Sequence, residues 1–405
     1  MKKIFVFFIL TLIVLTPLLT FTSCGGGEKI VLNVYNWGEY ISDGSEDSLD
    51  VNAAFEEYCA SLGLNVEVNY STYASNEDMY NKLDSGATSY DVVIPSEYMI
   101  ERMIAADMLE PLNFENIPNF QYINDSFKNP FYDPQNLYSV PYTYGVVGVI
   151  YNSAYVDEAD TGKWDLLWNE KYSGKILQYN NSRDAFGTAM YKLGIDVNTE
   201  SAEEWEKALA ELRAQKPLVQ SYVMDEIYNK MKGESAYISS YYAGDYLTMY
   251  SDNENLSFYY PEEGTNIFVD AMCIPKGSKN KDIAEMYINF MLSEEAAIAN
   301  AEYIGYASPN KLVYENADYI AYMQDWHPDA MEILYPESAG ITVKTSYYKN
   351  LPEDSLQRLN SLWETLKIDT GTETWVYVTS LVIVITLAAF LIYRAVLKKI
   401  RSRMY

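Results

Sequence analysis

Apolar positions follow two periods along this chain, in alternating segments. Ile30–Val34 is a short apolar run that predicts a strand, and Leu49–Leu62 sets Val51, Phe55, Tyr58 and Leu62 at helical spacing. Leu64, Val66, Val68 and Tyr70 alternate, which predicts a second strand. Asn76 can cap a helix over Glu77–Leu83, and Gly86 ends that region. Tyr90–Pro95 reads as a buried strand closed by proline, and Glu97–Ala106 is helical again. Strands interleaved with helices imply an α/β unit with a mostly parallel sheet. A Pro/Asn-rich crossing follows at Asn129-Pro130, Asp133-Pro134 and Val140-Pro141. It leads to a second set: a strand at Gly145–Tyr151, helices at Ala185–Leu193 and Ala202–Gln215, and strands at Ser235–Ser240 and Leu256–Tyr260. Ile267–Ile274 is a further buried strand ended by Pro275, and Ile283, Met286, Tyr287, Phe290 and Met291 mark an amphipathic helix.

The two ends of the chain differ from this middle. Lys2 and Lys3 precede the apolar run Ile4–Leu15, and Phe21-Thr22-Ser23-Cys24 follows, the layout of a secretory signal. The cysteine after small residues resembles a bacterial lipobox, with Phe21 in place of the usual Leu, and makes Cys24 the expected lipidation site. Residues 1–23 are then a signal peptide and residues 24–28 a tether. Trp375–Tyr393 is a run of 19 uncharged residues. At about 1.5 Å per residue it reaches about 28 Å, close to the hydrocarbon thickness of a bilayer. The basic tail 394–405 follows, so a transmembrane helix with a cytoplasmic tail is expected.

Charge sharpens the division. The whole chain carries −28, whereas residues 1–23 carry +2 and residues 374–405 carry +5, which leaves −35 on residues 24–373. Such a field repels nucleic acid and attracts cations. Cys59 and Cys273 could form a disulfide or remain two buried thiols, and their apolar periodic surroundings favour the second. The single histidine, His327, sits in a Trp-His-Pro loop, a structural setting. No nucleophile elbow, phosphate loop or zinc-spaced Cys/His cluster is present, so neither an enzyme nor a metal or cofactor site is expected. Tyr35-Asn36-Trp37-Gly38-Glu39-Tyr40-Ile41, directly after the first strand, combines an indole, a carboxylate and phenols. That combination suits an organic cation, since the rings offer negative π-faces and the carboxylate a counter-charge. Asp270, set between buried strand residues, is an expensive place for an unpaired charge. It is either a ligand contact or a carboxylate bonded to loop amides. Asp184, beside Arg183, is either a contact or half of an ion pair.

Four segments together resemble the polyamine-binding proteins of bacterial ABC importers, those for spermidine and putrescine. They are Tyr35–Tyr40, Tyr70–Tyr80, Tyr90–Ser96 and Ile304–Asn310, within a resemblance that covers roughly residues 29–370. It implies an α/β, two-lobe periplasmic-binding-protein (type II) fold with hinge crossovers. Residues 29–145 and 269–314 then form lobe 1, and 146–268 and 315–370 lobe 2. Carried over residue by residue, the expected ligand contacts are Trp37, Glu39 and Tyr40 in the first loop and Ser96 and Tyr98 after the third strand. Asp184, Tyr242 and Asp245 come from the second lobe, Phe268 and Asp270 form an aromatic–acid pair, and Tyr306 belongs to the Gly-Tyr loop. Asn181 stands where spermidine binders have an acid, and Lys349 lies near an expected Gln. The implied protein is a monomeric extracytoplasmic receptor at the cell membrane. It binds putrescine and/or spermidine and works with an ABC permease and ATPase. The alternatives are a membrane-anchored ligand sensor, motivated by the C-terminal apolar run, or the same fold taking another small cationic solute.

Overall fold

The fold is taken from a computed structural model that describes residues 28–86, 88–368, 379, 381–390 and 394. Strand β1 (Ile30–Trp37) turns Leu32 and Val34 to one face and Tyr35 to the other, and both faces are buried. A strand buried on both sides needs a layer over each face. Helices Val51–Ser61 and Lys281–Met291 cover the first, through Val51, Phe55, Ile283, Tyr287 and Met291. Met79 and the helix Glu97–Ala105, with Met99, Ile100 and Met103, cover the second.

Nine further strands complete the sheet: β2 (Val66–Tyr73), β3 (Val92–Val93), β4 (Ser139–Asn152), β5 (Ile176–Tyr179), β6 (Val219–Val223), β7 (Ile238–Tyr242), β8 (Leu256–Tyr259), β9 (Thr265–Cys273) and β10 (Thr345–Ser346). Their order is β2-β1-β3-β9-β4-β7-β5-β6, with β10 on β9 and β8 on β4. β1 is parallel to β2 and β3, and β5 is parallel to β6 and β7. Between these sets, β9 and β4 run antiparallel to each other and to their outer neighbours β3 and β7. The long strand β4 changes core along its length: Val140 and Tyr142 pack with the β1 side, and Val147, Val149 and Ile150 with the β5 side. The second core is built on Trp164, Tyr179, Phe186, Trp205 and Leu212, and Leu359, Leu362 and Leu366 of the helix Glu353–Ile368 close it. An α/β periplasmic-binding-protein fold results.

Several expectations need correction. The buried stripe of the first helix is Val51, Phe55 and Cys59; Tyr58 is exposed, and Leu62 lies past the last turn and is exposed too. Ser75 caps the next helix, through Asp78 N–H, and Asn76 is its first residue, turned inward. Of the Pro/Asn-rich segment, Asn129-Pro130 and Asp133-Pro134 lie in bends and turns, whereas Val140-Pro141 lies in β4, which with β9 links the two parallel sets. The sheet is accordingly mixed. Cys59 and Cys273 are free and buried. The signal 1–23 and Cys24 lie outside the described residues, as do residues 375–378, 380 and 391–393 of the C-terminal apolar run. Of that run, residues 381–390 are helical and exposed; among the described residues no helix is long and apolar enough to cross a membrane.

Candidate ligand-binding cleft

In open α/β sheets, ligands collect outside the carboxyl ends of parallel strands. Here two parallel sets point such ends at one cleft. Trp37 ends β1, Ala74–Glu77 follow β2, and Ser96–Tyr98 follow β3; across the cleft, Asn181–Asp184 follow β5, Met224–Tyr228 follow β6, Tyr242 ends β7 and Asp245 follows it. The space between them measures about 960 Å³ with its open mouth included. All eleven residues expected as contacts line it: Trp37, Glu39, Tyr40, Ser96, Tyr98, Asp184, Tyr242, Asp245, Phe268, Asp270 and Tyr306.

Three aspartates are held by hydroxyls and amides around one group of rings. Asp270 accepts from Ser96 Oγ and from the Tyr40 hydroxyl, both at 2.6 Å. Asp184 accepts from Asn181 Nδ2 at 2.7 Å and from the Tyr242 hydroxyl at 3.0 Å. The hydroxyls of Tyr228 and Tyr306 both donate to Asp245. Tyr242, Phe268 and Tyr306 touch one another, with centroids 5.1–6.3 Å apart, and Tyr306 meets Tyr40 edge-on at 5.4 Å. Burial dominates the electrostatics. It lifts Asp245 to about 7 and Asp270 to about 6 against the hydrogen bonds that favour their charged forms. Burial also raises Asp184, Glu77 and, well above the usual carboxylate range, Glu97. Glu39 is exposed at the mouth with φ 49°, left-handed backbone held at a loop tip beside the site.

Arg183 lines the cleft without forming the ion pair with Asp184 that their adjacency offered. Its Nη2 donates to Asn198 Oδ1 at 2.7 Å and to the Lys349 carbonyl at 3.2 Å, while its guanidinium lies over Tyr348, 4.6 Å from the centroid. Lys349 itself is exposed and outside the lining, with only its backbone engaged near Arg183. Asn181 caps the helix Ser182–Leu193 by accepting from Asp184 N–H. Lining residues that sequence reasoning missed include Asn76, Glu77, Glu97, Asp225, Tyr228 and Tyr348. Asn76 and Glu77 lie within the segment Tyr70–Tyr80, and their place after a strand end is the available signal. Nothing in the local sequence marks Tyr228 or Tyr348.

Sheet order, crossover strands and an acid- and aromatic-lined cleft at the strand ends define a solute-binding protein. Residues 53–326 match the sequence profile of the bacterial extracellular solute-binding proteins, and the chain belongs to that family. The likeness to its polyamine-binding members holds in the relatives it matches. It is 31% identical over 330 residues to the spermidine/putrescine-binding periplasmic protein of Escherichia coli K12, covering 79% of this chain and 91% of that one. It is 27% identical to the putrescine/cadaverine-binding protein of Pseudomonas aeruginosa, covering 84% and 94%. The solved spermidine/putrescine ABC transporter substrate-binding protein of Streptococcus pneumoniae superposes with a TM-score of 0.67 at 32% identity, over 84% of this chain and 99% of that one.

Proposed function

We propose that this chain is the extracytoplasmic substrate-binding component of an ABC importer and that it takes putrescine and/or spermidine. A linear polyamine has cationic ends and an apolar middle, so it needs carboxylates at separated points with flat apolar walls between them. The observation that carries the reading is the set Asp184, Asp245 and Asp270 placed around the touching rings of Tyr242, Phe268 and Tyr306. Each ring–ammonium contact contributes ~0.5–2 kcal/mol. The eleven lining residues named above are the proposed contacts. Residues 29–145 with 269–314, and 146–268 with 315–370, act as the two lobes that approach around the ligand, and β4 and β9 act as the hinge. The receptor works as a monomer, held at the membrane by lipid on Cys24 and by the span Trp375–Tyr393, and hands its ligand to a permease driven by an ATPase. Calorimetry with putrescine, spermidine, glutamate and maltose tests the reading: heat is expected with a polyamine only, and silence with both polyamines refutes it. The C-terminal span favours one second reading, a membrane-anchored sensor. Co-purification of permease and ATPase subunits supports import; a signalling partner in their place supports sensing.

A further inference from the structure

Asn76 is buried, at 3% exposure, at the start of the helix Asn76–Asp84. Its side-chain oxygen accepts from Ser96 N–H at 3.3 Å, which fixes the amide orientation, because the opposite flip would set two donors face to face. Its nitrogen therefore faces two hydroxyls and donates to both, to Ser96 Oγ at 3.0 Å and to the Tyr98 hydroxyl at 3.1 Å. Each hydroxyl carries one proton and has to place it elsewhere. Ser96 gives its proton to Asp270 Oδ1 at 2.6 Å, and Tyr98 gives its proton to Glu77 Oε1 at 3.1 Å. One amide thus directs two hydroxyl protons outward, each onto a carboxylate of the cleft wall. A donated hydrogen bond favours the ionised carboxylate. We propose that Asn76 is a positioning residue that sets the proton direction of this wall, and that Glu77, so held, is a second ammonium-accepting carboxylate beside Asp270.

The inference rests on the polyamine reading and extends it. All the donors and acceptors named belong to residues 76–98 and 270, so the arrangement is complete without the opposite wall. The charged and titratable groups facing Glu77 are Tyr98, Arg183 and Asp184. Those around Asp270 are Tyr40 and Ser96, with Glu97, Tyr73 and Tyr142 beyond.

The test is Asn76→Asp, nearly equal in volume but able only to accept. Both hydroxyl protons then turn inward, so Asp270 keeps the Tyr40 donor but loses that of Ser96, Glu77 loses that of Tyr98, and both gain a negative neighbour. Calorimetry with putrescine on the full chain is expected to show at least tenfold weaker binding at pH 7. The pH at which affinity is lost is expected to rise by about one unit. Simple charge addition predicts the reverse, so tighter or unchanged binding overturns the proposal. Glu77→Gln keeps the Tyr98 contact and removes only charge. It is expected to bind putrescine at least tenfold more weakly, and equal affinity removes Glu77 from the site. A native chain that gives no heat with either putrescine or spermidine refutes the polyamine reading itself; a native chain that binds beside variants that bind equally well refutes the present inference alone.

Discussion

Asp270→Asn separates what Asp270 does for the ligand from what it costs the fold. The carboxylate is 4% exposed, and both oxygens already accept protein hydrogen bonds at 2.6 Å. Truncating one partner of a buried, hydrogen-bonded charge pair costs about 2–5 kcal/mol. Putrescine affinity should therefore fall between about 30-fold and a few thousand-fold. The ligand-free protein should respond in the opposite sense. A carboxyl moved by burial from 3.8 to about 6 is one that the folded state holds protonated more tightly than the unfolded state does. Its contribution is most favourable below pH 4, is lost as pH rises to about 6, and amounts to roughly 3 kcal/mol of destabilisation at pH 7. Asparagine removes that charge but can satisfy only one of the two hydroxyls as before, a loss of about 1–2 kcal/mol. Thermal melts at pH 7 without ligand should thus place the variant level with the native chain or a few degrees above it, with the polyamine-induced rise in melting temperature gone. At pH 5 the native Asp270 is itself mostly protonated, and any advantage should vanish. Affinity within about threefold of native would refute the reasoning. So would a variant advantage that grows on acidification.

Three further outcomes follow from the same cleft. Asp245, raised to about 7, and Asp270, raised to about 6, hold protons in the empty cleft that a bound ammonium displaces, so polyamine affinity should rise with pH between about 5.5 and 7.5. Calorimetry in buffers of different ionisation enthalpy should detect proton release near pH 6.5, and none would contradict the values. Gly244 lies under the Tyr306 ring and 2.7 Å, by its missing Cβ, from the Gly305 carbonyl; Gly244→Ala should push Tyr306 off Asp245 and weaken putrescine binding about tenfold or more in the same assay. Asn181→Asp puts a second carboxylate against Asp184 in place of the donated bond at 2.7 Å, so it should shift preference from putrescine toward spermidine, read as the ratio of the two dissociation constants.

Much of the fold was legible because both sides of the sheet write themselves into the sequence. Ile30–Val34 and Ile267–Ile274 are apolar runs interrupted only by Asn33 and Asp270 because each strand is covered on both faces. The helix Ala202–Gln215 was legible to the residue, with Ser201 as its cap. The elements that escaped have weaker signatures. β6 is half-buried, β10 is two residues long, and the helix Ala243–Tyr250 hides its start behind Ala243-Gly244 at a strand end. Tyr58 was misread for a related reason: helical spacing fits residues 51, 55, 58 and 62 as well as 51, 55 and 59, and only the packing partners choose. The cleft divides in the same way. Trp37, Glu39 and Tyr40 carry their chemistry in one short segment, whereas Glu77, Tyr228 and Arg183 acquire theirs from neighbours distant in sequence. Arg183 shows the limit most plainly, since adjacency to Asp184 suggested an ion pair and the fold gives it Asn198, Lys349 and Tyr348 instead.

The cost of the empty cleft connects these observations. An acid buried without a cation destabilises the fold, and this cleft buries Asp245 and Asp270 and half-buries Asp184, close to Glu77 and Glu97. The hydroxyls that reach them lower that cost without removing it, since burial remains the larger influence at each. Arg183 is the only Lys or Arg among the lining residues, and its own charge is disfavoured by burial, so it cannot compensate for all of them. A ligand with two or more ammonium groups supplies the missing counter-charge, and a neutral sugar does not. The same arithmetic couples binding to contact between the walls. The Tyr306 hydroxyl, on the side of β1 and β9, reaches Asp245, which follows β7 on the other side. A cation that stabilises ionised Asp245 strengthens that acceptor and with it the bond across the cleft. Recognition of charge and retention of that bond are then one free-energy term, and a substitution such as Tyr306→Phe should shorten ligand residence more than it slows capture.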